Sequence, residues 1–382
     1  MKIPFHKAFL GREEADAAAD VIKSGWLTMG EKTFRFEKDF SAYTGAENSI
    51  AVNSCTAALH LALKAIGLKP GDEVIIPAMT FIATWEVITY FCSKPVLADI
   101  DRHSFLIDPH EIEKKITQKT RAIIPVHYGG ESCDMDAVME IARMHRLYVI
   151  EDAAHALPAL YKGRMIGTIG DIICFSFYAT KTITTGEGGM ITTANSEWAD
   201  RMRRLRLHGI TKDAWNRYSE KGTWQYDVSE PGYKYNMTDI ASAIGIEQLK
   251  KSDAMNAMRH EISAKYNNAF KNSELLHTWK VRDDAECAWH LYPVLVNTEA
   301  VNIGRDELIG KLKDAGIGTS VHYIPMYRFS CFGGSGSSAS GFPGCEYMFA
   351  RQVSLPIYPG MTESETGYVA DTFLSILKEN RR

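Results

Sequence analysis

Nowhere in the 382 residues is there an apolar run approaching the roughly 20 that a bilayer-spanning helix requires, and Met1-Lys-Ile-Pro-Phe-His6 lacks the apolar stretch of a secretory signal. The expectation is a protein without a membrane partner, with the cytoplasm as its default address. Paired cysteines are missing too. The seven cysteines are odd in number, scattered and without a Cys-x-x-Cys, which argues against a disulfide framework and against a structural zinc site, so no metal is expected. Cys55 and Cys174 fall inside motif segments, but neither has a neighbouring base to activate a thiolate. Blocks of one charge are also lacking. With 43 Lys and Arg against 47 Asp and Glu, a net charge of −4 and basic residues spread along the chain, nothing calls for a nucleic-acid partner.

What is present is an ordinary globular composition, 45% hydrophobic and 24% charged, on a chain long enough for two unequal domains. Between residues 48 and 195, apolar runs of four to six residues alternate with helix-length segments: Ser49–Val52, Glu73–Ile76, Lys94–Leu97, Ala122–Val126, Leu147–Ile150 and Ile172–Phe175. That pattern predicts an α/β domain with a mostly parallel sheet covered on both faces, whose ligands bind beyond the carboxyl ends of the strands. Long helical periodicity from 236 to 275 leads into a second unit, with a strand over 288–296, a helix over Arg305–Asp314 and a strand over Thr319–Tyr323. Residues 1–250 are thus expected as the large domain and 251–382 as a small α+β domain. The run at 333–341, made of Gly, Ser and one Ala, is too poor in apolar area to order itself and is expected as a mobile loop.

Two clusters carry the chemistry. Lys181 sits where the aromatic and hydroxyl-rich run Phe175-Ser-Phe-Tyr-Ala-Thr breaks into Thr-Ile-Thr-Thr-Gly-Glu-Gly-Gly189. A lysine amine titrates near ~10.4 and becomes a nucleophile only where burial or a neighbouring cation lowers that value. Upstream, Val149-Ile-Glu-Asp-Ala-Ala-His155 ends an apolar run in two carboxylates and an imidazole. Taken singly, the lysine is a surface charge and Asp152 a helix cap. Taken together, one cluster can hold a carbonyl cofactor's aldehyde and the other its ring nitrogen.

These segments, with Gly170-Asp-Ile-Ile-Cys-Phe-Ser176 between them, resemble the core of the DegT/DnrJ/EryC1/StrS aminotransferases, and the likeness runs from Ile3-Pro4 to Leu355-Pro-Ile-Tyr-Pro359. The resemblance implies fold type I, with a mostly parallel seven-stranded sheet, and pyridoxal 5′-phosphate as cofactor. It implies L-glutamate as amino donor and a nucleotide-diphosphate-linked keto-sugar as acceptor. Within the family, the segment from Leu207 through Asp239 resembles the branch making UDP-4-amino-4-deoxy-L-arabinose and related UDP-4-amino sugars, whereas a dTDP-3-keto-sugar or a cyclitol ketone is the alternative substrate. A non-catalytic, cofactor-bearing regulator is the alternative of another class.

Residue by residue, Lys181 would carry the cofactor and shuttle a proton, Asp152 would pair with its ring nitrogen, and His155 would contact its ring oxygen. Asn53-Ser-Cys55-Thr56 opens an amphipathic helix whose start is either a simple cap or a phosphate cradle, and the resemblance favours the backbone of Cys55 and Thr56 with the Ser176 hydroxyl. Phe81 is either core or stacked on the ring, and the resemblance favours stacking. Asn236 would reach the phosphate of a neighbouring subunit's cofactor, which makes the active sites of a homodimer shared. Trp26 and Thr28, and the pair His322-Tyr323, would line the sugar pocket. Cys55, Pro158 and Thr182 stand where glycine or alanine, glycine and asparagine are commoner in the family.

Overall fold

The computed structural model describes residues 1–211, 226–331 and 339–382. Its strands are β1 (Asn48–Val52), β2 (Glu73–Pro77), β3 (Lys94–Ala98), β4 (Thr120–Ile123), β5 (Tyr148–Asp152), the two-residue β6 (Leu160–Tyr161) and β7 (Arg164–Met165), β8 (Ile172–Ser176), β9 (Gly189–Thr193), β10 (Leu276–Thr278), β11 (Ala285–Glu286), β12 (Tyr292–Val296) and β13 (Gln352–Leu355). Seven of them form one sheet in the order β1-β9-β8-β5-β4-β2-β3. β8, β5, β4, β2 and β3 run parallel, and β9 is antiparallel to both β1 and β8.

Six of these strands coincide with the apolar runs of the sequence. The seventh, β9, carries one glycine and two threonines in five residues and so gives no such run, yet all five are buried because it is inserted between two strands. Glycine is required at its first residue: a Cβ on Gly189 would lie 2.7 Å from the Ser54 carbonyl and 2.8 Å from the Cys55 nitrogen. That close approach brings the start of β9 against the start of the helix Cys55–Ala65.

This helix is a departure from expectation. It is not amphipathic: Ala57 through Leu63 are all buried, including His60, because the helix packs against β8 and β9 and beneath the helices Ile82–Thr89 and Ser196–Leu205. Its start is consequently fixed, which matters for anything held there. The helical stretch after 236 is two helices, Asp239–Lys250 and Ser252–Phe270.

Toward the C-terminus, β10-β12-β13 form a three-stranded antiparallel sheet covered by the helices Ser252–Phe270, Arg305–Asp314 and Pro343–Arg351, with the helix Glu363–Glu379 packed on the first two. The N-terminal segment joins this region, since Ile3 pairs with Ile317 and its N–H donates to Gly316. Two expected strands are shorter than the sequence suggested. Of residues 288–296 only Tyr292–Val296 is strand. Ala288 and Leu291 donate their N–H groups to Gly130 and Gly129 of the large sheet's loops, so they cannot join a ladder in their own sheet. Residues 319–323 form a single bridge, Ser320 to Ser354, because beyond it the His322 carbonyl accepts from the Tyr128 hydroxyl and the Tyr323 N–H donates to Met79 Sδ. Of the Gly/Ser run, Ala339–Gly341 form a 3-10 turn; its other residues lie outside the described ones. No described helix is long and apolar enough to cross a membrane.

Candidate active site

At the carboxyl ends of β5 and β8 lies a cavity of about 460 Å³. Strand alternation decides which carboxylate of the Glu151-Asp152 pair enters it. Glu151 points the other way, to His127 at 2.7 Å and the Gly170 N–H, and is fully buried. Asp152 lines the cavity, its carboxylate accepting from the Thr84 hydroxyl at 2.8 Å and the Ala154 N–H at 3.2 Å. Burial pushes the Asp152 carboxyl above its usual range, against the pull of these donors and of Lys181. Its bonded partners are neutral, so the site has room and electrostatic demand for a cation.

Lys181 faces the same cavity from the turn after β8, its backbone N–H donating to the Tyr178 carbonyl. Desolvation pushes its amine down to about 8, although nearby Cys55 and Asp152 favour the charged form. Near neutral pH such an amine keeps a usable unprotonated fraction. The neighbouring thiols move the other way: burial raises Cys55 and Cys174 well above their ordinary values, as suits packing groups.

An anion cradle forms the floor beside Lys181. Ser54 caps the helix Cys55–Ala65 by accepting from the Ala57 N–H, which leaves the N–H groups of Cys55 and Thr56 as the uncommitted donors of the first turn. Ser176, the last residue of β8, lines the cavity with them. Across the opening, Phe81 is 57% exposed and borders the cavity, which removes the core reading of this residue.

The opposite wall is made of neutral rings. His155 Nδ1 accepts the Gly129 N–H at 3.2 Å, so its proton resides on Nε2, which meets the Tyr323 hydroxyl at 2.9 Å. Burial, with Lys181 and His322 nearby, holds His155 well below its ordinary value, consistent with that single tautomer. His322 places Nδ1 2.9 Å from the Ser354 hydroxyl, and burial lowers it to about 3. His290 completes the wall.

Lys181, Asp152, His155, Cys55, Thr56, Ser176, Phe81, His322 and Tyr323 are therefore brought together around one cavity, whereas Asn236, Trp26 and Thr28 do not line it. Asn236, whose Oδ1 is buried without a partner among the described residues, borders an adjoining pocket of about 340 Å³ that shares Glu187 with the main cavity. Trp26 and Thr28 lie beside the start of the helix Asp239–Lys250, Thr28 accepting the Asp239 N–H. Missed by the sequence reading were Thr84, Glu187 and His290. Thr84 follows Phe81 by three residues on the first turn of a helix, a signal available in the sequence; His290 stood inside a segment read as strand.

The profile of the DegT/DnrJ/EryC1/StrS aminotransferase family matches residues 9–374. The chain belongs to this family. Its relatives include protein MJ1066 of Methanocaldococcus jannaschii, 50% identical over 99% of this chain and 98% of that protein. The spore coat polysaccharide biosynthesis protein SpsC of Bacillus subtilis is 47% identical over 98% and 97%. Among solved structures, Spr1654 of Streptococcus pneumoniae, described as a sugar aminotransferase and solved in its PMP form, superposes with a TM-score of 0.94 at 34% identity, covering 99% of this chain and all of that one. The family and fold make the protein a pyridoxal-phosphate-dependent aminotransferase of fold type I. In this DegT-family site the cationic demand at Asp152, the uncommitted N–H groups at Cys55 and Thr56 and the desolvated amine of Lys181 suit that cofactor's pyridinium, phosphate and aldehyde.

Proposed function

We propose that the enzyme transfers the amino group of L-glutamate to a nucleotide-diphosphate-linked keto-sugar in a ping-pong reaction in the cytoplasm, with a preference for a UDP-4-keto-sugar. The observation that carries this reading is Lys181, an amine lowered to about 8 in one cavity with the buried carboxylate of Asp152. SpsC, a polysaccharide biosynthesis protein, and Spr1654, a sugar aminotransferase, support a sugar as acceptor.

When bound, pyridoxal phosphate supplies an electron sink for breaking the Cα–H bond of the amino compound. Asp152 would hold its ring nitrogen protonated, Phe81 would cover a ring face, and the N–H groups of Cys55 and Thr56 with the Ser176 hydroxyl would hold its phosphate. Lys181 accepts a proton from carbon in one direction and returns it in the other, which its lowered pKa favours near neutral pH. His155 stays neutral and donates from Nε2, since the Gly129 N–H occupies Nδ1. The position of Asn236 outside the Lys181 cavity, with a buried Oδ1 unpaired among the described residues, supports a homodimer in which it serves the second subunit's site, with Trp26 and Thr28 beside it.

Adding L-glutamate to the yellow holoenzyme tests the reading. Bleaching with release of 2-oxoglutarate, followed by recovery of colour with a UDP-4-keto-sugar, is expected. An unchanged spectrum would instead indicate a non-catalytic regulator, and recovery with a dTDP-3-keto-sugar or a cyclitol ketone alone would reassign the acceptor.

A further inference from the structure

We propose that His290 is a substrate-contacting residue that hydrogen-bonds a hydroxyl group of the amino acceptor. The proposal rests on the transaminase reading above and deepens it.

Four histidines are buried: His60, His127, His155 and His290. Three have hydrogen-bond partners within the chain, His60 on the Tyr235 hydroxyl, His127 on Glu151 and the Cys133 N–H, and His155 on the Gly129 N–H and the Tyr323 hydroxyl. His290 is the exception. It is 7% exposed, and its Nδ1 is buried without a hydrogen-bond partner among the described residues. A buried polar atom left unpaired costs free energy and calls for an explanation, and at a cavity wall a bound ligand supplies one.

His290 does not point at the cavity by chance. The preceding Trp289 adopts φ 44°, a left-handed conformation that a bulky residue rarely takes. The turn is clamped on both sides: Ala288 donates to the Gly130 carbonyl at 2.9 Å and Leu291 to the Gly129 carbonyl at 3.1 Å. Gly130, at φ 106°, must be glycine because a Cβ there would lie 2.9 Å from the Trp289 nitrogen. The clamp sets the His290 ring 4.3 Å from that of His155, centroid to centroid, on the cavity wall shared with Lys181, His322 and Tyr323.

Its chemistry selects the ligand. Burial, together with His155, Lys181 and Arg259, keeps His290 well below its ordinary pKa, so the ring is neutral and offers one donor and one acceptor. A hydroxyl has the same complement. A neutral ring matches a hydroxyl better than a carboxylate, which pairs most strongly with a cationic donor, and this assigns His290 to the hydroxylated acceptor and not to the dicarboxylate donor.

The test uses the holoenzyme and the two half-reactions separately, with the keto-sugar that restores colour to the wild type and its analogues each lacking one hydroxyl. His290→Phe is expected to leave the rate of bleaching by glutamate within about twofold, and to lower kcat/KM for colour recovery about ten- to a hundredfold. His290→Asn, which keeps a donor and an acceptor, should regain most of that loss. One deoxy analogue should be penalised about as heavily by the wild type and not further by His290→Phe. Equal slowing of both half-reactions, or normal recovery, overturns the proposal; should His290→Phe not fold, an analogue series that the wild type accepts without discrimination overturns it instead. A wild type that glutamate fails to bleach would sink the transaminase reading itself, a distinct outcome.

Discussion

The floor and the wall of the cavity are built on different principles. The floor, with Asp152, Cys55, Thr56, Ser176 and Lys181, comes from strand ends and the first turn of a buried helix of one sheet, and it carries the charges and uncommitted backbone donors. The wall, with His155, His290, His322 and Tyr323, is drawn from loops far apart in sequence, and it is neutral throughout. A floor that meets the same cofactor in every turnover gains from charge fixed on rigid elements. On the proposed function, a wall that meets the acceptor gains from ring nitrogens and hydroxyls that can be rearranged by changing loops.

The strongest blow to this division comes at the floor. Lys181→Ala should lower turnover by at least about a thousandfold and abolish attachment of the cofactor by borohydride, read by mass spectrometry; residual attachment at another lysine would contradict the assignment. Asp152→Asn should come next, at about a hundred- to a thousandfold in kcat with the fold retained, since the amide cannot hold the ring nitrogen protonated. A rate near that of the wild type would detach Asp152 from the chemistry.

The amine itself provides a third, graded test. In protein stripped of cofactor, the rate of imine formation with added pyridoxal phosphate should climb as pH rises through about 8, because the unprotonated fraction of Lys181 grows there. A midpoint near the ~10.4 of a free lysine would mean that the floor does not desolvate it.

The smallest effect concerns support of the wall. Glu131, two residues after Gly129, is fully buried with Oε1 accepting the Arg282 N–H, and burial raises it to about 7. Its folded value exceeds its unfolded one, so the stability it contributes is complete below about pH 4.5 and is lost as pH rises through about 7. Glu131→Gln should therefore be more stable than the wild type at pH 8, by about 1–3 kcal/mol in denaturant melts, with the advantage gone below about pH 4. Equal stability at both pH values would show that the carboxyl is solvated.

The same division governs what could be read from residues alone. Six strands of the main sheet announce themselves as apolar runs because strands buried on both faces need continuous apolar side chains. β9 escaped because its burial comes from neighbours on either side and not from its own composition. The floor residues were legible since each lies within a few positions of a strand end or a glycine turn. His290 was not: it sits in what reads as an unbroken strand from Ala288, and the contacts that bend the chain there belong to Gly129 and Gly130, about 160 positions earlier.

The amino-acid order by itself settled the α/β sheet, the family likeness and the placing of Lys181 and Asp152 at strand ends of one sheet, because local hydrophobic period and short motifs encode strand ends directly. The tertiary structure alone decided which nitrogen of His155 carries the proton, which carboxylate of Glu151 and Asp152 faces the cavity, and which buried histidine lacks a partner. Those depend on hydrogen bonds and burial between segments that meet only once the chain has folded, and no local pattern can specify the environment that distant segments create.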